Sequence, residues 1–151
     1  MQLNWGIIGT GFIAGKFAED YNWVQDGKIL AVASRTSDKA ESFARQYNIP
    51  RAYDSYEKLF QDPDIDAVYI ATPHNLHHQN TLSALHYKKA VLCEKPAAVN
   101  YNQLQEMVNK AQSNNLLFME AMWTYFLPPV IQAKEWIDNG EIGEVKMIKA
   151  D

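Results

Sequence analysis

The chain has 151 residues and a mass of 17.2 kDa, the size of one ordinary domain or of one domain and the start of another. Its residues are 47% hydrophobic and 21% charged, a composition typical of a globular protein with enough apolar side chains for a core. The net charge of −4 excludes proteins that hold nucleic acid or anionic membranes through a large basic excess.

The cysteine content and the hydropathy of the sequence indicate the cellular compartment of the protein. A single cysteine, Cys93, excludes a disulfide framework within the chain and a metal site built from several thiolates. No apolar run reaches the roughly 20 residues that cross a bilayer. The first residues also lack the basic region and apolar region of a signal peptide. We therefore expect a cytoplasmic protein with neither a membrane nor a nucleic-acid partner.

Short apolar runs alternate with amphipathic segments, which is the pattern of a parallel sheet with crossover helices. The runs lie at residues 3–8, 29–33, 66–71, 90–93 and 116–119. They lack polar alternation, and this is typical of strands that are buried on both faces. The runs therefore predict the strands of a doubly wound parallel sheet.

Two segments between these runs carry apolar residues at helical spacing. The two stripes consist of Ala40, Phe43, Ala44 and Tyr47, and of Leu104, Met107, Val108 and Ala111. Each predicts a helix that packs one face on the sheet. Asn100 and Gln103 resemble a capping box at the start of the second helix. With right-handed connections, these elements predict an α/β fold of the Rossmann type.

The pattern changes near Tyr125. Pro128-Pro129 begins a predicted helix that ends at Gly140, and a short strand is predicted over 144–150. A strand at the end of the chain has no later strand to pair with, so we expect this chain to be the front part of a longer polypeptide. We predict a first domain over 1–122 and, over 123–151, the junction and first helix and strand of a second α/β domain.

A glycine-rich turn follows the first apolar run. Gly9, Gly11 and Ala14 match the pattern G-x-G-x-x-A between a predicted strand and a predicted helix. The first glycine permits a tight turn, the second lets a pyrophosphate approach the backbone, and the alanine lets the helix and strand pack closely. The N–H groups at the start of the helix attract phosphate. The context favours dinucleotide binding over the alternative, a glycine-rich turn that binds nothing.

The end of the second predicted strand indicates which dinucleotide binds. An NAD site usually has Asp or Glu there, which binds the ribose hydroxyls. This chain has Ser34, Arg35 and Thr36, with Lys39 one helical turn later. A guanidinium and hydroxyl groups suit a 2′-phosphate, which an acidic residue would repel. We predict NADP(H) in preference to NAD(H); the alternative is that Arg35 lies on the surface without a ligand.

Two later strand ends carry candidate chemistry. Thr72, Pro73 and His74 follow one apolar run, and Glu94 and Lys95 follow the next. In an open α/β sheet, ligands bind at the carboxyl ends of strands. A lysine there can exchange the proton of an alcohol while hydride moves between the carbon and a nicotinamide. The alternative is an ordinary exposed Glu-Lys pair at a strand end.

Three histidines within five residues, at His74, His77 and His78, raise the alternative of a metal site. His77 and His78 are neighbours that point to different helix faces, and no carboxylate or thiol lies beside them. We therefore expect no metal. Cys93 lies within an apolar run, and we expect a buried, unreactive thiol.

These motifs together resemble the glucose–fructose oxidoreductase/inositol dehydrogenase (Gfo/Idh/MocA) superfamily. The resemblance covers the turn over 6–14, Ser34-Arg35, the segment 71–74 with His77, and the segment 90–96. Residues 118–126 resemble the domain junction of its dihydrodiol dehydrogenase/xylose dehydrogenase branch, although that branch has an arginine in place of Tyr125. Residues 142–145 resemble the start of the family's second domain.

The resemblance implies an NADP-dependent oxidoreductase that transfers a hydride between nicotinamide and a sugar, polyol or related hydroxy compound. Lys95 would be the catalytic acid/base. The residues implied in cofactor binding are Gly9, Thr10, Gly11, Phe12, Ile13, Ser34, Arg35, Thr36, Lys39, Thr72, Pro73, His74, His77, Glu94 and Lys95. A second domain would supply the remaining catalytic partners and the contacts of a homo-oligomer. The alternatives are a non-catalytic, NADP-sensing regulatory module of the same superfamily and an interaction scaffold.

Overall fold

A computed structural model describes residues 2–149, in which strands and helices alternate from Leu3 onwards. The strands are β1 (Leu3–Ile8), β2 (Gly27–Ala33), β3 (Arg51–Tyr53), β4 (Ala67–Ile70), β5 (Ala90–Cys93) and β6 (Phe118–Glu120). The helices are α1 (Phe12–Asp20), α2 (Ser37–Tyr47), α3 (Tyr56–Gln61), α4 (His77–His86), α5 (Tyr101–Ser113) and α6 (Pro128–Asp138). Single 3₁₀ turns cover Tyr21–Trp23, His74–Leu76 and Trp123–Phe126.

The six strands form one parallel sheet in the order β3-β2-β1-β4-β5-β6. The chain first builds outward from β1 to β3 and then returns to add β4 on the other side of β1. This change of direction is the topological switch point where ligands bind in Rossmann folds. The predicted doubly wound parallel sheet is confirmed.

Both faces of the sheet are buried. Ile7 and Tyr69 pack with residues of α1 and α2 in one apolar cluster. Ile8 and Ile70, their neighbours in sequence, pack in a second cluster with residues of α3, α4 and α5. Because successive side chains of a strand point to opposite faces, both must be apolar here. This double burial explains the continuous apolar runs.

The predicted helices are confirmed, and so is the predicted capping role of Asn100. The Asn100 side chain accepts a 3.0 Å hydrogen bond from the backbone N–H of Gln103, which caps the start of α5. Gly140 adopts a φ of +72° two residues after α6 ends. The short elements β3 and α3 were not among the predicted elements. A three-residue strand offers too few residues to show a period, and its pairing with β2 stabilises it.

The strand predicted over 144–150 is wrong for the residues that the structure describes. Residues 144–149 form no strand, and Ala150 lies outside the described residues. A β-strand requires hydrogen bonds to a neighbouring strand.

The described residues divide into two compact units between Ala121 and Met122. The first unit contains the whole sheet and α1–α5, and the second contains α6. The predicted boundary lies one residue later. No helix in the described part of the chain is both long and apolar enough to cross a membrane.

Candidate cofactor site

A cleft of about 610 Å³ opens at the carboxyl ends of β1, β2 and β4, at the switch point of the sheet. Nine of the predicted cofactor residues line it: Gly9, Thr10, Gly11, Ser34, Arg35, Thr36, Lys39, Thr72 and Pro73. The glycine turn, the loop after β2 and the segment after β4 therefore meet at one place.

The two glycines of the turn have different roles. Gly9 has a φ of +96°, and a Cβ there would lie 2.5 Å from the carbonyl oxygen of Ala71. The fold itself therefore requires glycine at this position. Gly11 has an ordinary φ of −85°, and a Cβ there would meet no described atom within 4 Å. The open space above Gly11 lies in the cleft, where a pyrophosphate could approach.

The start of α1 is free to hold an anion. None of the described side chains caps it, and its first turn contains no acidic residue. The backbone N–H groups of Phe12, Ile13 and Ala14 precede the first intrahelical bond, which Gly15 donates to Gly11. The helix dipole adds positive potential at this end. The Phe12 side chain is 81% exposed.

The side of the cleft formed by the loop after β2 is basic. Ser34 is buried and donates a backbone hydrogen bond to Tyr53, while Arg35, Thr36 and Lys39 are exposed at the rim. No Asp or Glu is among the described residues that line the cleft. This arrangement suits an additional phosphate group.

Tyr56, the first residue of α3, lines the same cleft and was missed by the sequence analysis. Burial raises the pKa of the Tyr56 hydroxyl, and the nearby positive charge of Arg35 acts in the opposite direction. A local signal was present: Ser55 accepts a hydrogen bond from the backbone of Lys58 and caps the short helix. Recognition of that cap would have placed Tyr56 at the start of a helix, but not beside the basic loop, because the packing of that helix is tertiary.

The segment after β4 is held by residues of α4. Thr72 is buried, and its hydroxyl accepts a 3.0 Å hydrogen bond from Asn80. His77 is only 1% exposed, and its Nε2 lies 2.8 Å from the carbonyl oxygen of Thr72. Its Nδ1 lies 2.8 Å from the carbonyl oxygen of Pro96. The His77 ring therefore lies behind the cleft wall and frames it, while His74 is exposed.

Glu94 and Lys95 lie at the same edge of the sheet, one strand further along. The backbone N–H of Glu94 donates to Ile70, which brings the ends of β4 and β5 together. The Glu94 carboxylate is 8% exposed and accepts a 2.6 Å hydrogen bond from the Tyr69 hydroxyl. Burial, and secondly this hydrogen bond, raise the pKa of Tyr69, so the hydroxyl keeps its proton. The Lys95 side chain is exposed, and the Lys95–Pro96 peptide bond is cis.

His78 and Cys93, which the sequence analysis also considered, lie outside the cleft lining. His78 lies near the surface with its Nε2 2.8 Å from a Glu106 oxygen. No group of three His, Cys, Asp or Glu residues in the described part of the chain is placed to hold a metal ion. Cys93 is buried, and burial raises the pKa of its thiol to about 12.

The fold and this cleft together define the NAD(P)-binding Rossmann domain of an oxidoreductase. Residues 3–122 match the family model described as "Oxidoreductase family, NAD-binding Rossmann fold" (GFO_IDH_MocA). The chain belongs to the Gfo/Idh/MocA oxidoreductase family, and the resemblance noted in its motifs is confirmed.

Two relatives show which members of the family have sequences similar to this chain. The trans-1,2-dihydrobenzene-1,2-diol dehydrogenases of Mus musculus and Bos taurus are 41% and 40% identical in alignments 153 positions long, which cover 100% of this chain and 46% of theirs. The chain thus spans about half the length of these relatives.

Solved structures show the same fold. An NAD binding oxidoreductase from Klebsiella pneumoniae superposes with a TM-score of 0.89 at 33% identity, over 95% of this chain and 40% of that one. A 3-ketoreductase from Actinomadura kijaniata, solved in complex with TDP-benzene and NADP, also has a TM-score of 0.89, at 29% identity over 97% of this chain and 46% of that one.

Proposed function

We propose that this chain forms the cofactor-binding part of an NADP-dependent oxidoreductase that acts on a sugar, polyol or related hydroxy compound. The observation that carries the proposal is the cleft in which the glycine turn meets Arg35, Thr36 and Lys39 with no described carboxylate in its lining. The dehydrogenase names of the relatives, and the NADP in a structural neighbour, support the reaction class and the cofactor.

The phosphate groups would bind at two places in the cleft. The pyrophosphate would lie over Gly11 and accept hydrogen bonds from the N–H groups at the start of α1. The 2′-phosphate would be held by the Arg35 guanidinium, with Lys39 and the hydroxyl groups of Ser34 and Thr36 beside it. Tyr56 lines the same wall, and we infer that its ring packs against the adenosine.

The reacting end of the cofactor would lie beyond Thr72 and Pro73, toward Lys95 at the next strand end. The residues of this cleft would hold a nicotinamide, whose chemistry would be that of a hydride acceptor or donor. During alcohol oxidation, the neutral Lys95 amine would take the hydroxyl proton while the hydride leaves the carbon, and the resulting ammonium would return it in the reverse direction. Tyr69 holds Glu94, and Oε2 of Glu94 accepts a 3.2 Å hydrogen bond from the Lys95 N–H. Glu94 would therefore fix the backbone conformation at Lys95.

Cofactor titration tests the first part of the proposal. We expect NADPH to bind more tightly than NADH, and Arg35→Ala to weaken NADPH binding about tenfold or more with little effect on NADH. Arg45→Ala is the matched control, because Arg45 is an exposed arginine whose ion pair with Glu41 lies on the surface of α2. Equal affinity of the unmodified protein for the two cofactors would reject the role of Arg35.

A second experiment tests the catalytic role of Lys95. In a preparation that reduces NADP⁺ with a sugar, polyol or diol, Lys95→Ala should lower turnover about a hundredfold or more and leave NADPH binding intact. Lys58→Ala, which removes only the surface ion pair with Asp54, is the control. NADPH binding without turnover on any such substrate would favour the NADP-sensing module instead.

A further inference from the structure

We propose that His77 is a positioning residue that acts as a buried imidazolium and joins the loops after β4 and β5. Glu120 completes this link through the peptide group between Pro96 and Ala97. We call this arrangement the His77–Glu120 link. Its charge and hydrogen bonds stand independently of the proposed function, whereas its effect on cofactor binding rests on that function.

The geometry of the two ring nitrogens points to a charged His77. Nδ1 lies 2.8 Å from the carbonyl oxygen of Pro96, and Nε2 lies 2.8 Å from that of Thr72. Carbonyl oxygens only accept hydrogen bonds, and a neutral imidazole has one N–H and one lone pair. In the neutral ring, one lone pair would face a carbonyl oxygen at close range. Only the imidazolium can donate to both.

Burial opposes this charge, as does the position of His77 at the start of α4, where the helix dipole is positive. A compensating negative group is therefore needed. Glu120 provides it through the peptide group that His77 contacts. The carbonyl of this peptide accepts from His77, and its N–H, at Ala97, donates 2.8 Å to Oε1 of Glu120.

The carboxylate of Glu120 polarises this peptide and makes its carbonyl oxygen a stronger acceptor. Hydrogen bonds that involve a charged group are also stronger than neutral ones. The imidazolium and the carboxylate thus stabilise one another through one peptide unit. The link connects the start of α4, the loop after β5 and the end of β6.

The link defines the spacing of the proposed nicotinamide site. Thr72 forms one wall of the cleft, and both its carbonyl and its hydroxyl are held from α4. Pro96 directly follows Lys95. The ring of His77 therefore sets the separation between the cleft wall and the segment that carries Lys95. The nearby His78–Glu106 pair has the same residue types, but it lies at the surface and joins no loop of the site.

Nitrogen-15 NMR of the histidine side chains tests the charge directly, without cofactor. In the unmodified protein near neutral pH, we expect both ring nitrogens of His77 to be protonated and protected from exchange with solvent. Glu120→Gln keeps an acceptor oxygen but removes the charge, and should convert His77 to a neutral ring. Glu106→Gln should leave the His77 signals unchanged. A neutral His77 in the unmodified protein would overturn the proposal, and no effect of Glu120→Gln would overturn the part assigned to Glu120.

Two substitutions test the effect on the site. His77→Asn keeps a donor near the position of Nδ1, and His77→Gln keeps one near Nε2, so each variant can hold only one loop. We expect NADPH to bind about tenfold more weakly to folded samples of both, because one buried hydrogen bond is lost in each. His78→Gln is the control and should bind NADPH like the unmodified protein.

The outcomes separate the two proposals. Failure of the unmodified protein to bind NADPH would reject the proposed function and leave the NMR result standing. Normal binding by both His77 variants would reject the positioning role. If neither variant folds, the Glu120→Gln protein, which retains an acceptor oxygen for the Ala97 N–H, decides the question. Unaltered NADPH affinity together with a neutral His77 ring would reject the role of the charge.

Discussion

The hydroxyl of Tyr69 donates a 2.6 Å hydrogen bond to Glu94, and the ring of the same tyrosine stacks on Phe17 of α1 at 3.9 Å between centroids. One side chain of β4 therefore contacts both the helix that begins at the glycine turn and the acidic residue next to Lys95. Through the core of the domain, Tyr69 thus connects the helix that follows the glycine turn with the strand end that carries Lys95.

Removal of this hydrogen bond should destabilise the domain. Among the described residues, Tyr69→Phe leaves the buried Glu94 carboxylate with only the Lys95 N–H as a hydrogen-bond donor, and we expect a loss of about 1–3 kcal/mol in the free energy of unfolding. Urea denaturation measures the change. Tyr87→Phe is the control, because its hydroxyl also donates to a glutamate, Glu57, but in an exposed position. A loss for Tyr69→Phe no larger than that of the control would contradict the prediction.

The two glycines of the turn should respond differently to alanine. Gly9→Ala places a Cβ against Ala71 at a positive φ and should cost about 2 kcal/mol or more in stability. Gly11→Ala should leave stability within about 0.5 kcal/mol, because its φ is ordinary and the space around it is open.

Cofactor binding should distinguish them further. A methyl group at residue 11 would occupy the space proposed for the pyrophosphate, so NADPH should bind to Gly11→Ala about tenfold more weakly or worse. Thermal unfolding and fluorescence titration of the same samples provide both measurements. Normal NADPH affinity in Gly11→Ala would show that the pyrophosphate does not lie over this turn.

The buried carboxylate of Asp62 should make stability depend on acid pH. Burial alone would raise the pKa of Asp62, but hydrogen bonds from Arg51, the Asp64 N–H and Tyr53 outweigh it and hold the pKa below its ordinary value. A lowered pKa means that this stabilisation is present above the ordinary carboxyl value of about 3.9 and is lost as the pH falls through the folded-state value.

Asp62→Asn should therefore lower the free energy of unfolding by about 1–3 kcal/mol at pH 7, and the difference from the unmodified protein should shrink below about pH 4. Denaturation at several pH values measures this difference. Asp54→Asn serves as the control, because the ion pair of Asp54 with Lys58 lies at the surface. A difference that persists undiminished at pH 3 would mean that the ionised carboxylate is not the source of the stability.

The Cys93 thiol should be unreactive in the native protein. A pKa raised to about 12 from 9.0 reduces the thiolate fraction near pH 8 about a thousandfold, and burial adds a steric barrier. We expect slow reaction with a disulfide reagent in buffer and rapid reaction in denaturant. Fast labelling of the folded protein would place Cys93 in an accessible position.

The parallel, doubly wound character of the sheet and the start of the cofactor site followed from local patterns. Strands buried on both faces produce continuous apolar runs, and the turn from β1 into α1 needs small residues at Gly9 and Ala14 for steric reasons alone. Residues at the carboxyl ends of parallel strands meet at one edge, so Arg35 and Thr72 could be placed together before any coordinates were known.

Other features depended on contacts between residues far apart in the chain. Tyr56 lies at the cleft because α3 packs beside the loop after β2, and nothing in its local sequence specifies that neighbour. The strand predicted over 144–150 is wrong in its described part, because β-propensity depends strongly on tertiary context and does not by itself specify a strand.

The amino-acid sequence by itself determined the Rossmann fold and the glycine turn, because these depend on the periodicity and size of neighbouring side chains. It also showed the basic residues that follow the second strand. Only the tertiary structure decided that Tyr69 holds Glu94 and that His77 lies behind the cleft between two carbonyl groups. Such pairs are set by the register of strands and helices from distant parts of the chain, where a shift of one residue would exchange one partner for another.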